Sequence, residues 1–276
     1  MPDGLRRQAL RALLESNPYA KAEAARALDD KLPVEAGAIL IASEGIPGRP
    51  LRPELVPPNK VRSRDPRTPS GRAALIHSLC HIEFNAINLA LDILWRFPGM
   101  PDAFYRDWAQ VAREEGLHFQ LLCNHLQGLG HAYGDMPAHD GLWEMAQRTS
   151  EDLLARLALV PRTLEARGLD ASPMVREKLA GAGDHAAAAI IDIILRDEIG
   201  HVATGNRWYR HLCARDGLDP IAAFRELAVR YRAPRLRGPF NLPARRAAGF
   251  SDEELELLLN EDAAHPRRQV ATSDGG

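Results

Sequence analysis

The sequence predicts an all-α fold: a bundle of four long helices joined as two antiparallel hairpins. Three observations lead there. Alternating Val/Ile/Thr runs and tight hairpin turns are scarce along the 276 residues. Between residues 70 and 214 the chain runs in long Ala-, Leu- and Ile-rich stretches bounded by Pro and Gly breaks. Stretches of roughly 25 residues make helices about 38 Å long, enough to line one shared core.

Residues 5–30 read as one or two short amphipathic helices carried by Leu5, Leu10, Leu13 and Leu14. Seven prolines between Pro47 and Pro69 then forbid helix or central strand, because each ring fixes φ and removes a backbone donor. Leu51, Leu55 and Val56 interrupt the polarity there, so an extended strap lying over the domain is expected. Ser70 caps a first core helix to about Arg96, and Phe97-Pro98-Gly99-Met100-Pro101 stops it and restarts a second, to about Gln127. Residues 128–141 form a loop that can cross the bundle end to end at about 3.3 Å per residue. A third helix runs from Leu142 to about Arg167 with a kink at Pro161. Gly168 and Ser172-Pro173 interrupt it before a short helix to Ala180. After Gly181-Ala182-Gly183, Asp184 caps a fourth helix to about Ala214. The expected organisation is a helical segment and strap (1–69), the bundle (70–216), an Arg-rich extension with a short helix opened by the capping box Ser251-Asp252-Glu253-Glu254 (217–260), and a disordered tail (261–276).

Composition narrows the function classes. Lys+Arg 35 against Asp+Glu 37 gives a net charge of −2, which argues against a generally basic nucleic-acid-binding surface. Three cysteines (Cys80, Cys123, Cys213) without paired spacing indicate neither a disulfide framework nor a Cys-based zinc site, and fit a reducing, cytoplasmic setting. The run Ala186–Leu195 is too short and, with Asp192, too polar to span a bilayer, and no membrane partner is expected.

The chemistry lies in a repeated block. Arg113-Glu114-Glu115-Gly116-Leu117-His118 and Arg196-Asp197-Glu198-Ile199-Gly200-His201 both read Arg-acid-Glu-x-x-His, and every Glu-x-x-His in the chain belongs to this pair. At i and i+3 the Glu and His share a helix face and converge on one point. Carboxylate oxygen with imidazole nitrogen suits iron or manganese, and a dinuclear site of this type needs a further Glu from each of two other helices. Hairpin register supplies them. Glu83 lies 17 residues before Met100, and Glu115 and His118 lie 15 and 18 after it. Glu165 lies 17 before Ala182, and Glu198 and His201 lie 16 and 19 after it. The expected metal ligands are therefore Glu83, Glu115, His118, Glu165, Glu198 and His201. The last assignment assumes that residues 173–181 continue the third helix; otherwise Glu144, or less readily Glu151, takes the place of Glu165.

Two divalent ions would neutralise four inward-facing carboxylates that are costly to bury alone. Glu114 and Asp197 stand one residue off the ligand face. They either accept the free N–H of a ligand histidine, or pair with Arg113 and Arg196, or face water. His77, His81 and His125 are read as packed or structural, Cys80 as core, and Asp192 as either an acceptor near the site or part of a wet helix face.

At these residues the chain resembles the ferritin-like superfamily of non-haem di-iron carboxylate proteins. More narrowly, it resembles a bacterial ferritin-like family of unknown function, distantly similar to the tRNA-modifying hydroxylase that acts on thiomethylated isopentenyl adenosine. The resemblance spans about residues 70–250. It is carried by His81-Ile82-Glu83, the two repeated blocks, Glu165-Ala166-Arg167-Gly168-Leu169-Asp170 and Arg237-Gly238-Pro239-Phe240-Asn241. It implies a ferritin-like four-helix bundle holding two iron ions, with manganese as the alternative.

The expected function is that of a dioxygen-dependent di-iron oxidoreductase, a hydroxylase of an unidentified substrate. The alternatives are a metal-handling ferroxidase without organic substrate, and a metal-free helical binding module. Arg225, Arg230, Arg232, Arg235, Arg237, Arg245 and Arg246, with Lys60, Arg62, Arg64, Arg67 and Arg72 upstream, would form a cationic mouth for an anionic substrate or RNA. The alternative is that they pin irregular backbone and helix ends.

Overall fold

A computed structural model describes residues 4–42, 45–61 and 64–264. It is all-helical; the one β pairing among the described residues is an isolated parallel bridge, Leu55 with Ala138. Eleven α-helices are described: α1 Leu5–Leu14, α2 Pro18–Arg26, α3 Pro69–Arg96, α4 Asp102–Gly128, α5 Gly141–Arg148, α6 Leu153–Leu159, α7 Ala166–Gly181, α8 His185–Asp216, α9 Pro220–Arg230, α10 Leu242–Ala247 and α11 Asp252–Ala263. A π-helical turn, Val160–Glu165, joins α6 to α7.

Two long hairpins dominate. α3 begins on a Thr68 cap, whose hydroxyl accepts from the Gly71 N–H at 3.1 Å, with Pro69 at the first helical position, so the cap falls two residues before the expected Ser70. It ends at Phe97-Pro98-Gly99, where Gly99 takes a φ of 84° that a side chain would disfavour, and α4 returns along it. α7 and α8 form the other hairpin around Gly183, with the Asp184 carboxylate accepting from the Ala187 N–H at 3.0 Å as the cap of α8. α4 packs on α8, and α6 with the π turn packs on α8 as well.

α3 contains an 18-residue window of mean hydropathy 1.2, long and apolar enough by composition to cross a bilayer, and 72% of it is buried within the protein. The long apolar window thus lies here rather than at Ala186–Leu195, and it serves as a core helix.

The region expected to be one kinked helix from Leu142 is divided. α5 ends at Arg148, and Asp152 caps a fresh helix by accepting from the Ala155 N–H at 2.9 Å. Pro161 has no N–H to give and its ring crowds the preceding turn, and here the backbone widens into π geometry instead of kinking. Gly168 and Ser172-Pro173 do not interrupt the chain. α7 runs through them, and the Ser172 hydroxyl donates to the Gly168 carbonyl at 2.7 Å beside Pro173.

Polar anchors fix the periphery. Arg6, wholly buried, donates to the Trp95 carbonyl (2.6 Å) at the end of α3 and to the Glu35 and Ala38 carbonyls (2.9 and 2.7 Å). Lys21 donates to the Gly48 carbonyl (2.7 Å) and to Asn88 (2.6 Å), and burial lowers its pKa to about 7. Asp92 of α3 pairs inside the core with Arg156 of α6 and, at 2.6 Å, with Arg96. Removing one partner of such a buried pair costs about 3–5 kcal/mol.

The strap is tied to the long loop: the Val56 N–H donates to the Ala138 carbonyl (2.8 Å) and the Ala138 N–H to that of Glu54 (3.0 Å). The capping box at Ser251 is present, and α11 extends to Ala263, so the residues first expected to open a disordered tail are helical. The remainder of that tail, 265–276, and Arg62 of the upstream basic group lie outside the described residues.

Candidate metal centre

Three helices bring five of the six expected side chains into two buried groups, and the sixth, Glu165, half-buried at the end of the π turn, belongs to neither group. Glu83 comes from α3, Glu115 and His118 from α4, Glu198 and His201 from α8, and Glu165 from the last residue of the π turn. Both Glu-x-x-His pairs use the i, i+3 face of a straight helix, so each pair needs no loop to position it.

Glu115 stands in the middle. His118 Nδ1 lies 3.4 Å from Glu83 Oε2 and 3.4 Å from Glu115 Oε2. His201 Nδ1 lies 2.9 Å from Glu115 Oε1 and 3.8 Å from Glu198 Oε2. Two groups able to hold a metal ion result, Glu83/Glu115/His118 and Glu115/Glu198/His201, each with its ligand atoms within 4.8 Å of one another. Glu115 is common to both.

The second ring nitrogens point the other way and cross over. His118 Nε2 meets Asp197 Oδ2 of α8 at 3.1 Å, and His201 Nε2 meets Glu114 Oε2 of α4 at 2.8 Å. Each acid therefore serves the histidine of the opposite block. Asp197 is also gripped by Arg196 (2.8 Å), and Glu114 by the Gln110 amide (2.5 Å), whereas Arg113 turns to the Leu28 carbonyl, Gln110 and Asp30.

Charge inside this region is unbalanced. Burial pushes the Glu83 carboxyl up, and with His118 pulling back it settles at about 8. Glu115 also suffers from burial, yet His201 and His118 outweigh it and hold the carboxyl below its usual range. Burial works against the charged form of His118, but Glu115 and Glu83 carry it up to about 11; His201 is raised in the same way, chiefly by Glu115 and Glu114. Glu198 and Glu165 are raised by burial, and then by neighbouring carboxylates. For Glu165 the largest cause is burial, followed by Glu198 and Glu115.

The donor set fits cations. Glu83 Oε2, both Glu115 oxygens, Glu165 Oε2, Glu198 Oε2 and the Nδ1 atoms of His118 and His201 are buried without a hydrogen-bond partner. Leaving such groups unmade costs about 1–3 kcal/mol each, more when charged, and a bound cation would offset that cost. The buried Glu/His groups can hold a metal ion.

The remaining candidates separate from this region. Glu144 and Glu151 are exposed. His81 packs between Tyr133 Oη (2.9 Å from Nδ1) and the His139 carbonyl (3.0 Å from Nε2), and His77 Nε2 accepts from the Gly134 N–H at 2.9 Å. His125 contacts Asp184 at 2.9 Å, Cys80 is buried in the core, and Asp192 pairs with Arg176 on a wet face. In the Arg-rich segment, Arg245 is buried against Asp170 (2.6 Å), while Arg246 with Asp252 (2.9 Å) and Arg230 with Glu226 (2.5 Å) form exposed surface pairs. Arg162, which the sequence reading passed over, is buried three residues before Glu165; its partner Glu254 lies far along the chain and no local spacing links them.

A family model described as a protein of unknown function, DUF455, matches residues 14–256. The chain belongs to this family. An uncharacterized protein of Haemophilus influenzae is 47% identical over 261 residues, covering 90% of this chain and 91% of the relative. No solved structure matches the chain. The DUF455 match takes in all six expected ligands and both crossing acids.

Proposed function

We propose that this protein is a dinuclear metalloprotein with a ferritin-like bundle, binding two iron ions, or manganese in their place, through Glu83, Glu115, His118, Glu165, Glu198 and His201. The observation that carries this reading is the set of buried, partnerless oxygen and Nδ1 atoms converging around Glu115. The crossing acids support it, since a metal-ligating histidine usually gives its other N–H to a carboxylate, which fixes the ring and raises its basicity.

The chemistry that iron would supply at these residues is one-electron transfer to dioxygen. The residues supply the rest. Glu115, common to both groups, would serve both ions, and Glu83 and Glu165 would offer carboxylates from opposite hairpins. Asp197 and Glu114 keep the His118 and His201 rings oriented and hold the Nε2 proton away from the centre. Aromatic and aliphatic packing around α3, α4 and α8 excludes water from reactive species.

On this basis the protein is a dioxygen-dependent oxidoreductase, and the resemblance to a tRNA-modifying hydroxylase favours hydroxylation of an organic substrate. A ferroxidase reading has its own support: Glu115 and His118 are 0% exposed, which leaves no open face there for an organic molecule. Oxygen uptake by anaerobically iron-loaded protein separates the two. Uptake that rises with an added organic compound supports the hydroxylase; oxidation of ferrous iron alone supports the ferroxidase. Undiminished oxygen consumption in both Glu115→Ala and Glu198→Ala rules out the centre as its source.

A further inference from the structure

The side chain that ties the C-terminal segment to this centre is Arg162. It sits in the π turn, three residues before Glu165, and is 3% exposed. Its guanidinium bonds Asn206 of α8 and Glu254 of α11. It also lies 4.2 Å from the Tyr209 ring centroid and 5.4 Å from those of Phe224 and Phe250.

These contacts form one knot. Asn206 donates onward to the Ala248 carbonyl at 2.7 Å, and Glu254 also receives Arg210 of α8 at 2.8 Å while closing the capping box of α11. On the other side Pro161 lies so close to Gly205 that a Cβ there would come within 2.5 Å of the proline Cβ. Gly205 is one helical turn beyond His201. The π turn is thus docked onto α8 beside the His201 group, and Arg162 and Pro161 are its two fasteners.

A π turn is less regular than the α-helices it joins, and Glu165 is its last residue. Its backbone position depends on what holds the turn. A planar, forked guanidinium bonded on two sides and flanked by aromatic rings is suited to that, because its geometry is fixed in orientation as well as in charge.

We propose that the C-terminal segment is a clamp on the metal centre: Glu254, acting through Arg162, fixes the π turn that presents Glu165, so that the ion on the Glu165/His201 side binds at full strength only while the clamp is closed. The inference rests on the dinuclear reading above and assigns positioning residues to it. It also gives the added C-terminal helices a role in regulating the site.

The test is anaerobic titration of the full-length chain with Co2+ alone, followed by visible absorption and calorimetry, with thermal melting in parallel. Glu254→Gln is the decisive variant, since Gln still closes a capping box while the charge that grips Arg162 is lost. Arg162→Met and Arg162→Lys follow, and Asp252→Asn, in the exposed pair with Arg246, is the control.

The wild type and control should bind two equivalents. Glu254→Gln and Arg162→Met should bind the first at wild-type strength and the second at least tenfold more weakly, with Arg162→Lys partly restored. Two equivalents of unchanged affinity in Glu254→Gln overturn the clamp and leave the centre standing. Equal weakening of both equivalents alongside a lowered melting point also overturns it, as the signature of a merely structural contact. A wild type that binds no Co2+ overturns the dinuclear reading and the clamp with it. Should Arg162→Met fail to fold, Glu254→Gln alone decides.

Discussion

Glu114 of α4 holds His201 of α8 at 2.8 Å, although it sits one residue before Glu115 in the other repeated block. Asp197 returns the relationship to His118 at 3.1 Å. The two helices therefore exchange orienting acids, and each block depends on the other to set its histidine. Removing one acid should weaken one position selectively. Glu114→Gln should lower affinity at the His201 position, and Asp197→Asn at the His118 position, each by about 10–100-fold. Stepwise metal titration monitored by calorimetry reads which of two binding phases moves.

Metal binding should release protons. His118, raised to about 11, and Glu83, raised to about 8, are both protonated at pH 7 in the metal-free chain, and His201 is raised in the same direction. Ligation requires neutral imidazole and ionised carboxylate, so cations compete with those protons. Affinity should rise as pH rises from 6 to 8. Calorimetry in buffers of different ionisation enthalpy should show net release of at least about one proton per chain.

The two buried Glu/His groups were legible in the sequence because helices are periodic. An i, i+3 Glu/His pair shares a face regardless of what surrounds it, and counting from the turn at Met100 brings Glu83 level with Glu115 and His118, whereas the same count from Ala182 does not bring Glu165 into the group of Glu198 and His201. The break between α5 and α6 was not legible: Leu142 to Arg167 keeps an apolar pattern, and the Asp152 cap competes with helix continuation through one side-chain bond. The π turn was equally hidden, since Pro161 announces a disruption without saying which kind. Asp92 offered a usable signal, an acid in an apolar run that needs a buried partner, and Arg156 supplies it. Counting arginines misled where Arg245 was concerned, because its charge is spent on Asp170 inside the protein.

His77 should make the fold acid-sensitive independently of metal. Burial lowers its pKa from 6.5 to about 4, and its Nε2 lone pair is committed to the Gly134 N–H. The depressed value means that the unfolded chain binds the proton more tightly. Stability is then fully present above pH 6.5 and is lost as pH falls towards 4, by about 3 kcal/mol at 1.36 kcal/mol per pKa unit. Denaturant melts of metal-free protein across this range should show that loss, and His77→Gln, which keeps an acceptor but does not titrate, should reduce it, the remainder including His81, which burial also lowers to about 4.

Gly205→Ala should loosen the Glu165 turn. The added Cβ would come within 2.5 Å of the Pro161 Cβ, a contact that forces α8 and the π turn apart. Overpacking of this kind costs about 1–3 kcal/mol. A lowered melting midpoint, with faster amide exchange across residues 160–166 than in the wild type, would report it; an unchanged exchange profile would show that the turn tolerates the separation.

Glu115 is the residue on which both groups converge, so the number of ions lost with it tests the account most directly. Anaerobic ferrous loading of the wild type, followed by metal analysis and Mössbauer spectroscopy, should give two iron ions per chain. Glu115→Ala, confirmed as folded by circular dichroism, should retain neither, whereas Glu83→Ala should retain one. Two tightly held ions in folded Glu115→Ala, or none in the wild type, would contradict the shared-carboxylate centre.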